Sequence, residues 1–439
     1  MGAPPAAATR KLFGTDGVRG IAGEFLTAEL ALALARAATA RVAVDASTRP
    51  RVLVIRDTRE SGEMLEAAVA AGIAAAGGEA LLGGVLPTPG APLLIGRYRF
   101  DLAAVLSASH NPYEDNGIKF FGGDGFKLSD ATEAEIEGML ESAPPSARPG
   151  RVRRFHGALE DYLRALHERF ADLDLSGRRI LLDCANGATF EAAPEIFRRL
   201  GAHVDVIAAE PDGRNINAGC GSTHLDALRA AMAGHDAGFA FDGDGDRMLA
   251  MDRAGAVVDG DELIALAAKH LSVRGVAVTV MTNYGFHAAM REAGIEVATT
   301  PVGDRYVLEE LRAREWRLGG EQSGHIIDMG FVPSGDGIAS ALLAMEALEG
   351  GDLHDRHAME KLPQTLVNVK VRDRTALERA SVVHEAVERE AAALEGRGRV
   401  LLRPSGTEPL VRVMAEAPTP EEADAVCARL VAAVEAELA

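Results

Sequence analysis

The amino-acid sequence predicts three successive α/β domains with mixed, largely parallel sheets, followed by a smaller α+β domain. The chain has 439 residues, several times the usual domain size of about 100–150 residues. Short β-rich runs alternate with long Ala- and Leu-rich helical patterns in three rounds, and the order changes near the end of the chain. Such alternation indicates βαβ units, whose parallel sheets carry helices on both faces.

The three rounds share one pattern of strand, helix and strand. In the first round, the helical pattern at 64–78 ends at a Gly pair, which is a common helix stop. The later rounds repeat the order with the helical runs APEIFRRLGA and HAAMREAGI. The predicted strands are 51–57, 101–109, 178–187, 203–209, 276–283 and 296–303. We therefore expect three sheets in sequence.

The last stretch has a different order. A predicted strand at 366–373 precedes a helical pattern from Ala376 to Leu394, and two β-rich runs then flank a tight loop before a closing helix at 420–438. This β-α-β-β-α order predicts a smaller α+β domain. Stretches near 142–150, 251–262 and 360–366 are the expected linkers. We therefore expect domains at 1–150, 151–253, 254–364 and 365–439.

The charge balance is strongly acidic. Lys and Arg number 46 against 65 Asp and Glu, which gives a net charge of −19. A field of this sign repels nucleic acids and anionic membranes. We therefore expect no nucleic-acid partner and no membrane partner, and any phosphate ligand must bind in a local basic pocket.

Cysteine usage and the N-terminal run indicate a cytoplasmic protein. Cys184, Cys220 and Cys427 lie far apart and form no CxxC pair, which argues against a disulfide framework or a zinc ribbon and fits a reducing compartment. The run MGAPPAAATRKLFG has no apolar core of signal-peptide length, and no run of about 18 apolar residues follows it.

The strongest local signal is FDGDGDRM at 241–248. Asp242, Asp244 and Asp246 alternate with glycines, so their carboxylates can converge on one hard cation. A solvated acidic turn is the alternative. A calcium EF-hand does not fit, because its sixth position would be Arg247 instead of Gly and its twelfth Arg253 instead of Glu. Since three carboxylates without a cation would repel one another, we expect a Mg²⁺ site with open positions for phosphate oxygens.

The segment SASHNPYEDNGIKFF at 107–121 follows a predicted buried strand, where α/β proteins place catalytic loops. Ser109 is a candidate nucleophile or phosphate carrier, with His110 beside it and Lys119 further along. Asn-Pro and Asn-Gly also favour turns, so a plain loop is the alternative for this stretch alone. A Ser-His-Asp hydrolase does not fit, because Ser109 lies outside a GxSxG elbow and an adjacent His seldom has nucleophile–base geometry.

The segment RPSGTEPLVRV at 403–413 concentrates groups that bind anions. Two guanidinium groups, two hydroxyls and a Gly-bent backbone can form a bidentate cradle, from Arg403, Ser405, Gly406, Thr407 and Arg412. A hairpin turn with exposed arginines is the alternative. The close clustering of these residue types favours phosphate binding.

The segment GGEQSGH at 319–325 places Glu321, Ser323 and His325 at alternate positions after a Gly pair. This spacing suits hydrogen bonding to adjacent sugar hydroxyls, with His325 as a possible proton handler. By itself the segment is equally typical of a structural loop.

The opening segment FGTDGVRG at 13–20 places Asp16 and Arg19 between glycines. Arg19 is a candidate ligand for a substrate oxygen or phosphate. In isolation the segment predicts only a turn.

Together and in this order, the motifs resemble those of the α-D-phosphohexomutase superfamily from Leu12 to about Glu416. LFGTDGVRG, SASHNP, DCANGA (183–188), PDGRNINAGCG (211–221), FDGDGDR and GGEQSGHII most resemble the phosphoglucosamine mutase branch. The phosphomannomutase/phosphoglucomutase branch usually differs in the opening motif and at the third sugar-loop position. The resemblance implies four domains around one central cleft, a mobile fourth domain, and a monomer or homodimer.

The resemblance also implies a reaction. A phosphoserine enzyme would interconvert glucosamine 6-phosphate and glucosamine 1-phosphate through a 1,6-bisphosphate intermediate, and so supply UDP-N-acetylglucosamine synthesis. The partner would be a small sugar phosphate. The implied cofactors are one Mg²⁺ per active site and a hexosamine or hexose 1,6-bisphosphate as activator and intermediate.

Positions that match the family's motifs imply four groups of site residues. These are the phosphate carrier Ser109, which also gives an oxygen to the metal; the metal ligands Asp242, Asp244 and Asp246; residues around the transferring phosphoryl group, Arg19, His110, Lys119, Arg247 and His325; and substrate-binding residues. The substrate-binding residues are Glu321 and Ser323 for sugar hydroxyls, and Arg403, Ser405, Gly406, Thr407 and Arg412 for the phosphate that is not reacting.

Three alternative functions stay open to test. The nearest is a phosphomannomutase or phosphoglucomutase with the same mechanism and another sugar. A phosphohydrolase with an aspartate nucleophile would need DxDx[TV], where this chain has Asp246 at the fifth position. A non-catalytic sugar-phosphate-binding protein would not need Ser109 together with a metal triad.

Overall fold

The computed structural model confirms the predicted fold class. It describes residues 12–43, 49–143, 146–404 and 409–438, with the side chains of Arg374 and Thr375 left out. The chain forms two compact units, which are residues 1–280 with 298–356 and residues 281–297 with 357–439. Within the described ranges, no helix has the length and apolar character needed to cross a membrane.

The first sheet has six strands in the order β1-β5-β4-β2-β3-β6. Its strands are β1 (Val18–Ile21), β2 (Arg51–Arg56), β3 (Glu79–Val85), β4 (Leu102–Leu106), β5 (Asp115–Gly122) and β6 (Arg151–Arg154). Its helices are α1 (Ala28–Val42), α2 (Ser61–Ala75), α3 (Gly90–Tyr98) and α4 (Asp130–Gly138). Pairs among β4, β2, β3 and β6 are parallel, whereas β5 is antiparallel to both β4 and β1. A side chain at Gly72 would meet the Leu32 carbonyl at 2.3 Å, so glycine permits the close packing of α1 on α2.

The second sheet repeats this topology with five strands in the order β11-β10-β9-β7-β8. After helix α5 (Ala158–Arg169), its elements are β7 (Arg179–Asp183), α6 (Ala192–Arg199), β8 (His203–Ile207), α7 (Asp226–Ala231), β9 (Ala237–Phe241), β10 (Met248–Asp252) and β11 (Val257–Val258). Strand β7 pairs in parallel with β8 and β9, and β10 is antiparallel to β9.

The third sheet has four strands in the order β13-β12-β14-β15. Its elements are α8 (Gly260–His270), β12 (Gly275–Thr279), α9 (Tyr284–Glu292), β13 (Glu296–Thr300), α10 (Asp304–Arg314), β14 (Leu318–Gly320), β15 (Ile326–Asp328) and α11 (Gly337–Ala347). Strand β14 is parallel to β12 and antiparallel to β15. Helix α9 belongs to the second compact unit.

One turn recurs in all three sheets and carries a sequence motif each time. It joins a buried strand to the antiparallel strand that follows, at 107–114 between β4 and β5, at 242–247 between β9 and β10, and at 321–325 between β14 and β15. The predicted strands 101–109 and 178–187 are too long, because positive φ angles at Ser109 (53°) and Ala185 (54°) cannot continue a strand. The same turn of each sheet therefore carries a different set of candidate site residues.

The C-terminal part of the second unit is an antiparallel sheet in the order β16-β18-β17. Its elements are β16 (Gln364–Lys370), a 3₁₀ segment (Arg374–Arg379), α12 (Ser381–Ala393), β17 (Arg399–Pro404), β18 (Leu410–Glu416) and α13 (Pro420–Leu438). The expected single helix from Ala376 is wrong in its first turns. Buried Ala380 has φ −78° and ψ 85°, outside the helical region, and α12 starts after it.

A buried carboxylate joins α9 to this C-terminal sheet within the second unit. Glu416 is fully buried and accepts hydrogen bonds from Arg399 Nε at 2.7 Å and from the Tyr284 N–H at 2.8 Å. The N-cap Asn283 accepts from the Leu362 N–H at 3.0 Å. These bonds tie residues 281–297 to the C-terminal strands although more than sixty residues of sequence separate them.

Candidate active site

Ser109 is buried at the end of β4 in a strained conformation. Its φ of 53° lies in the left-handed region, which costs a non-glycine residue about 1–2 kcal/mol. Its hydroxyl donates to Asp242 Oδ2 at 2.5 Å, and its N–H donates to Ser107 Oγ at 2.9 Å. The hydroxyl of the predicted nucleophile therefore points at the turn 242–247, which we call the metal loop.

The three aspartates of the turn 242–247 form one buried cluster. Asp242, Asp244 and Asp246 each place a carboxylate oxygen within 4.8 Å of the other two. Burial, and then the charges of Asp246 and Asp244, raise the pKa of Asp242 well above its ordinary value. Among the described residues, Oδ1 of Asp244 and Oδ1 of Asp246 are buried without a hydrogen-bond partner.

These observations fit a cation site. Three carboxylates supply only oxygen ligands, which hard divalent cations prefer. The unpartnered oxygens of Asp244 and Asp246 and the raised pKa of Asp242 reflect negative charge that a bound cation would balance. The triad can therefore hold a metal ion, with Ser109 Oγ next to it.

Lys119 lies on β5 and contacts the triad from one side. Its Nζ donates to Asp244 Oδ2 at 2.9 Å and lies 3.0 Å from Asp16 Oδ2. Burial opposes its charge, but Asp16 and Asp244 raise its pKa above the ordinary value, so the ammonium stays protonated. The Thr88 hydroxyl also donates to Asp244 Oδ2, at 2.7 Å.

Arg19 and a second buried lysine complete this cationic side. Arg19 forms an ion pair with Asp16 and donates from Nη1 to the Ala108 carbonyl at 3.3 Å, directly before Ser109.

The second lysine, Lys127, bridges two carboxylates, because its Nζ lies 2.5 Å from both Asp16 Oδ1 and Asp304 Oδ2. Burial opposes ionisation of Asp16, yet the surrounding cations hold its pKa well below the ordinary value.

His110 and Arg247 lie on the other side of Ser109. His110 Nδ1 is 3.4 Å from Ser109 Oγ and 3.3 Å from Arg247 Nη1. Burial, followed by the charges of Arg247 and Arg19, lowers the pKa of His110. Because the guanidinium can only donate, Nδ1 carries a lone pair and His110 can accept a proton.

His325 lies between two carboxylates. Its Nδ1 is 3.6 Å from Asp246 Oδ2, and its Nε2 is 3.7 Å from Asp304 Oδ2. Burial opposes its protonation, but Asp246 and Asp304 raise its pKa. The Gly335 N–H donates to Nε2 at 3.2 Å, which requires a lone pair there. This backbone bond selects the tautomer with its hydrogen on Nδ1, facing Asp246.

Glu321 and Ser323 lie in the third turn, near the start of α10. Glu321 is buried and its Oε1 accepts from the Gly303 N–H at 2.9 Å, whereas Ser323 is exposed. Gly324 has a φ of 90°, and a side chain there would meet the Met248 carbonyl at 2.1 Å. Glycine thus lets the third turn pack closely on the strand that leaves the metal loop.

Arg403 and Arg412 belong to the second unit, where they lie opposite each other on β17 and β18. Burial and the charge of Arg412 lower the pKa of Arg403. In the described part of the chain, Arg412 Nε is buried without a hydrogen-bond partner. The predicted residues Ser405, Gly406 and Thr407 lie outside the described residues.

The structure brings most predicted residues of the first unit to one site, and it adds residues that the sequence did not single out. The additions are Arg59, Thr88, Lys127, Asn217 and Asp304. Arg59 lies in the loop that follows β2 and Asn217 lies in the motif PDGRNINAGCG, so position and motif could have indicated both. Lys127 and Asp304 have no local signal, because only the tertiary fold brings them together.

Models of one protein family match the chain in four successive segments. They are described as the phosphoglucomutase/phosphomannomutase α/β/α domain I at residues 10–145, domain II at 160–255, domain III at 259–366, and the C-terminal domain at 366–433. Together these segments span almost the whole chain in the order of the family.

Curated relatives and solved structures agree with this match. The chain is 50% identical to a phosphoglucosamine mutase of Mycolicibacterium paratuberculosis, covering 97% of this chain and 99% of the relative. It is 52% identical to a phosphoglucosamine mutase of Mycobacterium tuberculosis, covering 93% and 95%. A phosphoglucomutase/phosphomannomutase family protein of Burkholderia thailandensis has the same fold, with a TM-score of 0.82, 22% identity and 97% of each chain covered.

A more distant structure shares the fold as well. It is an Aspergillus fumigatus N-acetylphosphoglucosamine mutase in complex with GlcNAc-6P and magnesium, with a TM-score of 0.68, 18% identity and 98% and 96% of the two chains covered. The four family segments and the relatives at half identity or more decide the assignment. The chain belongs to the phosphoglucomutase/phosphomannomutase family, and within it to the phosphoglucosamine mutases.

Proposed function

We propose that the protein interconverts glucosamine 6-phosphate and glucosamine 1-phosphate, with Ser109 as the phosphate carrier. The observation that carries this proposal is the burial of the Ser109 hydroxyl against the carboxylate triad, 2.5 Å from Asp242 Oδ2. A serine of this kind, with a cation site on one side and basic side chains around it, is suited to phosphoryl transfer. The names of the curated relatives support the choice of glucosamine phosphates.

The reaction has two half-reactions that balance without an outside donor. In the first, the free sugar oxygen bonds to the phosphorus of phosphoserine 109, the bond from phosphorus to Oγ breaks, and the proton of the sugar hydroxyl ends on Oγ. The product is the 1,6-bisphosphate. In the second, Oγ bonds to the phosphorus at the other end of the sugar, and the sugar oxygen left behind regains a proton.

The chain's own residues position these groups and move the proton. His110 Nδ1 is within reach of Ser109 Oγ and carries a lone pair, so it can hold the proton of this hydroxyl during transfer. Lys119, Arg19 and Arg247 surround the place of the transferring group with fixed positive charge, which stabilises the charge of the transition state.

The proposed metal is Mg²⁺, held by Asp242, Asp244, Asp246 and an oxygen of the phosphorylated Ser109. When bound, it supplies positive charge that neutralises the transferring phosphoryl group. Support comes from the all-oxygen donor set and from the two buried carboxylate oxygens that have no partner among the described residues.

Substrate recognition falls to two further groups of residues. We assign sugar hydroxyls to Glu321 and Ser323, because the Gly303 N–H fixes the Glu321 carboxylate in one orientation. We assign the phosphate that is not reacting to Arg403 and Arg412, together with Ser405, Gly406 and Thr407. Two facing guanidinium groups match the two oxygens of a phosphate.

We further propose a cytoplasmic protein that acts as a monomer or homodimer. The three cysteines are free and buried, and burial raises the pKa of each thiol, that of Cys220 to about 11. Free, buried cysteines fit a reducing compartment.

The test is turnover of purified enzyme with glucosamine, glucose and mannose phosphates in both directions. We expect the highest kcat/KM with glucosamine phosphates. Higher kcat/KM with glucose or mannose phosphates would favour the alternative, a phosphoglucomutase or phosphomannomutase with the same mechanism. Absence of turnover with all three sugars would contradict the proposal as a whole.

A further inference from the structure

A fully buried arginine outside the predicted site binds the backbone of the turn 107–114, which contains Ser109 and which we call the phosphoserine loop. Arg59 follows β2 and pairs with Asp57, with Nε 2.9 Å from Oδ2. Its two terminal nitrogens donate to carbonyls of the loop, including those of Ser109 and Asn111 at 2.9 Å each and that of Asp115 at 3.0 Å. Both terminal nitrogens of the guanidinium are thus directed at one short segment, while Nε is held by Asp57.

An asparagine from the second sheet's loops holds the same two carbonyls. Asn217 Nδ2 donates to the Ser109 carbonyl at 2.9 Å and to the Asn111 carbonyl at 3.0 Å. Asn217 is buried and has a φ of 59°. The backbone of the loop is therefore held from both sides, by Arg59 from the first sheet and by Asn217 from the motif PDGRNINAGCG.

The metal loop packs against the same Ser109 carbonyl and against Asn217. A side chain at Gly243 would meet the Ser109 carbonyl at 2.6 Å and Asn217 Nδ2 at 2.8 Å. The Ala188 N–H, in the motif DCANGA, donates to the Gly243 carbonyl at 2.8 Å. Glycine at 243 is required for this approach, which fixes the distance between Ser109 and its neighbour Asp242.

We propose that Asn217 and Arg59 are positioning residues that keep Ser109 in one place whether or not it carries a phosphoryl group, so that the bisphosphate intermediate is turned over and not released. This proposal rests on the proposed function. Neither residue contacts Ser109 Oγ in the described hydrogen bonds; both act on main-chain carbonyls. Their hydrogen bonds to the loop backbone are therefore the same before and after the phosphoryl group leaves.

The need for such a clamp follows from the two half-reactions. After the first, Ser109 is a free hydroxyl on a strained backbone, and the phosphoryl group that linked it to the surrounding cations has gone. Relaxation of a φ of 53° would move Oγ away from the phosphorus that it must attack next. Because a displacement of about 1 Å can lower a rate about 100-fold, a relaxed loop gives the bisphosphate time to dissociate.

The test compares Asn217→Gly with a matched change in the same loop, Asn215→Ala. Glycine accepts the φ of 59° at position 217, so this variant removes the amide without adding backbone strain. Asn215 donates from Nδ2 to the Glu210 carbonyl at 2.9 Å, and in the described hydrogen bonds its side chain has no contact with Ser109. Phosphorylated enzyme is mixed with glucosamine 6-phosphate, and kcat, KM and free 1,6-bisphosphate released per turnover are measured.

We expect Asn217→Gly to lower kcat by about 10- to 100-fold, with KM within about twofold of wild type. Release of bisphosphate per turnover should rise at least about fivefold, and added 1,6-bisphosphate should restore part of the rate. Asn215→Ala should match wild type in all three measurements. A merely structural role of Asn217 would lower the folded fraction and leave the release per turnover of the folded enzyme unchanged.

Three results would overturn the inference. They are an Asn217→Gly enzyme indistinguishable from Asn215→Ala, a raised KM with unchanged kcat, or a lowered kcat without increased release of bisphosphate. If Asn217→Gly does not fold, Arg59→Lys provides the comparison from the other residue of the pair, because it keeps a positive charge beside Asp57 and removes the guanidinium donors to the Ser109 and Asn111 carbonyls. Failure of wild type to carry phosphate on Ser109 or to turn over would instead contradict the proposed function.

Discussion

Arg403 and Arg412 are directly opposite each other in the antiparallel register of β17 and β18. Like charges in opposite positions of two strands destabilise a sheet by a few tenths of a kcal/mol or more. Arg412 Nε is also buried without a partner among the described residues. An anion between the two guanidinium groups would remove both penalties, which is why we assign the non-reacting phosphate to this pair.

Replacement of Arg412 by Ala should therefore weaken binding more than chemistry. Loss of a charge-assisted bond of about 1.5–3 kcal/mol predicts a KM about 10- to 100-fold higher, with a smaller loss in kcat. The effect should be equal for glucosamine 6-phosphate and glucosamine 1-phosphate, since one cradle serves both orientations. Steady-state kinetics in the two directions measure it, and a defect in only one direction would mean that the cradle is assigned to the wrong residues.

Arg397→Ala is the matched control for that experiment. Arg397 lies in the same part of the chain and forms an exposed ion pair with Glu422, Nη2 to Oε1 at 3.1 Å. Removal of an arginine there lowers the positive charge equally without touching the proposed cradle. We expect KM in both directions within about twofold of wild type, as for surface ion pairs in general.

Asp242→Asn should separate metal binding from stability. Burial and the charges of Asp246 and Asp244 raise the pKa of Asp242, so the variant relieves repulsion and should melt at a higher temperature than wild type in chelator. Added Mg²⁺ should raise the melting temperature of wild type only, by the linkage of binding to folding. Equal stabilisation of both proteins by Mg²⁺ would rule out the triad as the site.

The same series gives a kinetic prediction. Asp246→Asn, or Asp244→Asn, should lower kcat by about 100- to 1,000-fold, the scale of a lost electrostatic contact in the transition state. Chelator should stop wild-type turnover, and restored Mg²⁺ should recover it. Full wild-type activity in metal-free buffer would contradict the cation site.

Asp336 should make stability depend on pH. It is buried, the Tyr162 hydroxyl donates to its carboxylate at 2.9 Å from Oδ1 and 3.0 Å from Oδ2, and burial raises its pKa from 3.8 to about 6. Since the folded pKa is above the unfolded one, this group's contribution to stability is fully present below pH 3.8 and is lost as pH rises through 6. A shift of about two units corresponds to roughly 3 kcal/mol.

Asp336→Asn keeps the N-cap acceptor of α11 and removes the titration. We expect its urea midpoint to exceed that of wild type by a constant amount between pH 8 and about pH 6, and the difference to shrink from there towards pH 4. Midpoints measured at intervals between these values check the sign. Parallel profiles for the two proteins would show that Asp336 does not titrate in this range.

Glu416→Ala should destabilise the second unit. The substitution leaves Arg399 and the Tyr284 N–H without their buried acceptor, a loss of about 3 kcal/mol. Limited proteolysis should then cut within residues 281–297 or 357–439 first. The control Glu422→Ala removes an exposed carboxylate paired with Arg397 and should change stability by less than about 1 kcal/mol.

The fold could be predicted from sequence where local pattern and tertiary structure agree. The strand β2 and the closing helix α13 have clear patterns and appear where expected, and β4 and β7 lie inside the longer strands that were predicted. Strands β14 and β15 have three residues each, too few to show a period of two. The interruption at Ala380 was not predictable either, because alanine favours helix and only packing places its backbone outside the helical region.

The site could be predicted where chemistry is local. Ser109 and the aspartate triad are each contained in one short turn, so residue type and spacing were enough to find them. Lys127 connects Asp16 to Asp304, residues from the opening loop and from α10, and no spacing in the sequence relates them. Buried charges of this kind become visible only when their partners are known.

The most direct test of Ser109 as phosphate carrier is the transfer of label between enzyme and product. Purified enzyme should carry one added phosphate on the peptide that contains Ser109, and enzyme labelled at this phosphate should pass the label to the sugar in a single turnover. Ser109→Ala should fold normally, carry no phosphate and lose mutase activity. Ser109→Ala activity within tenfold of wild type, or label that stays on the protein through a full turnover, would contradict the mechanism.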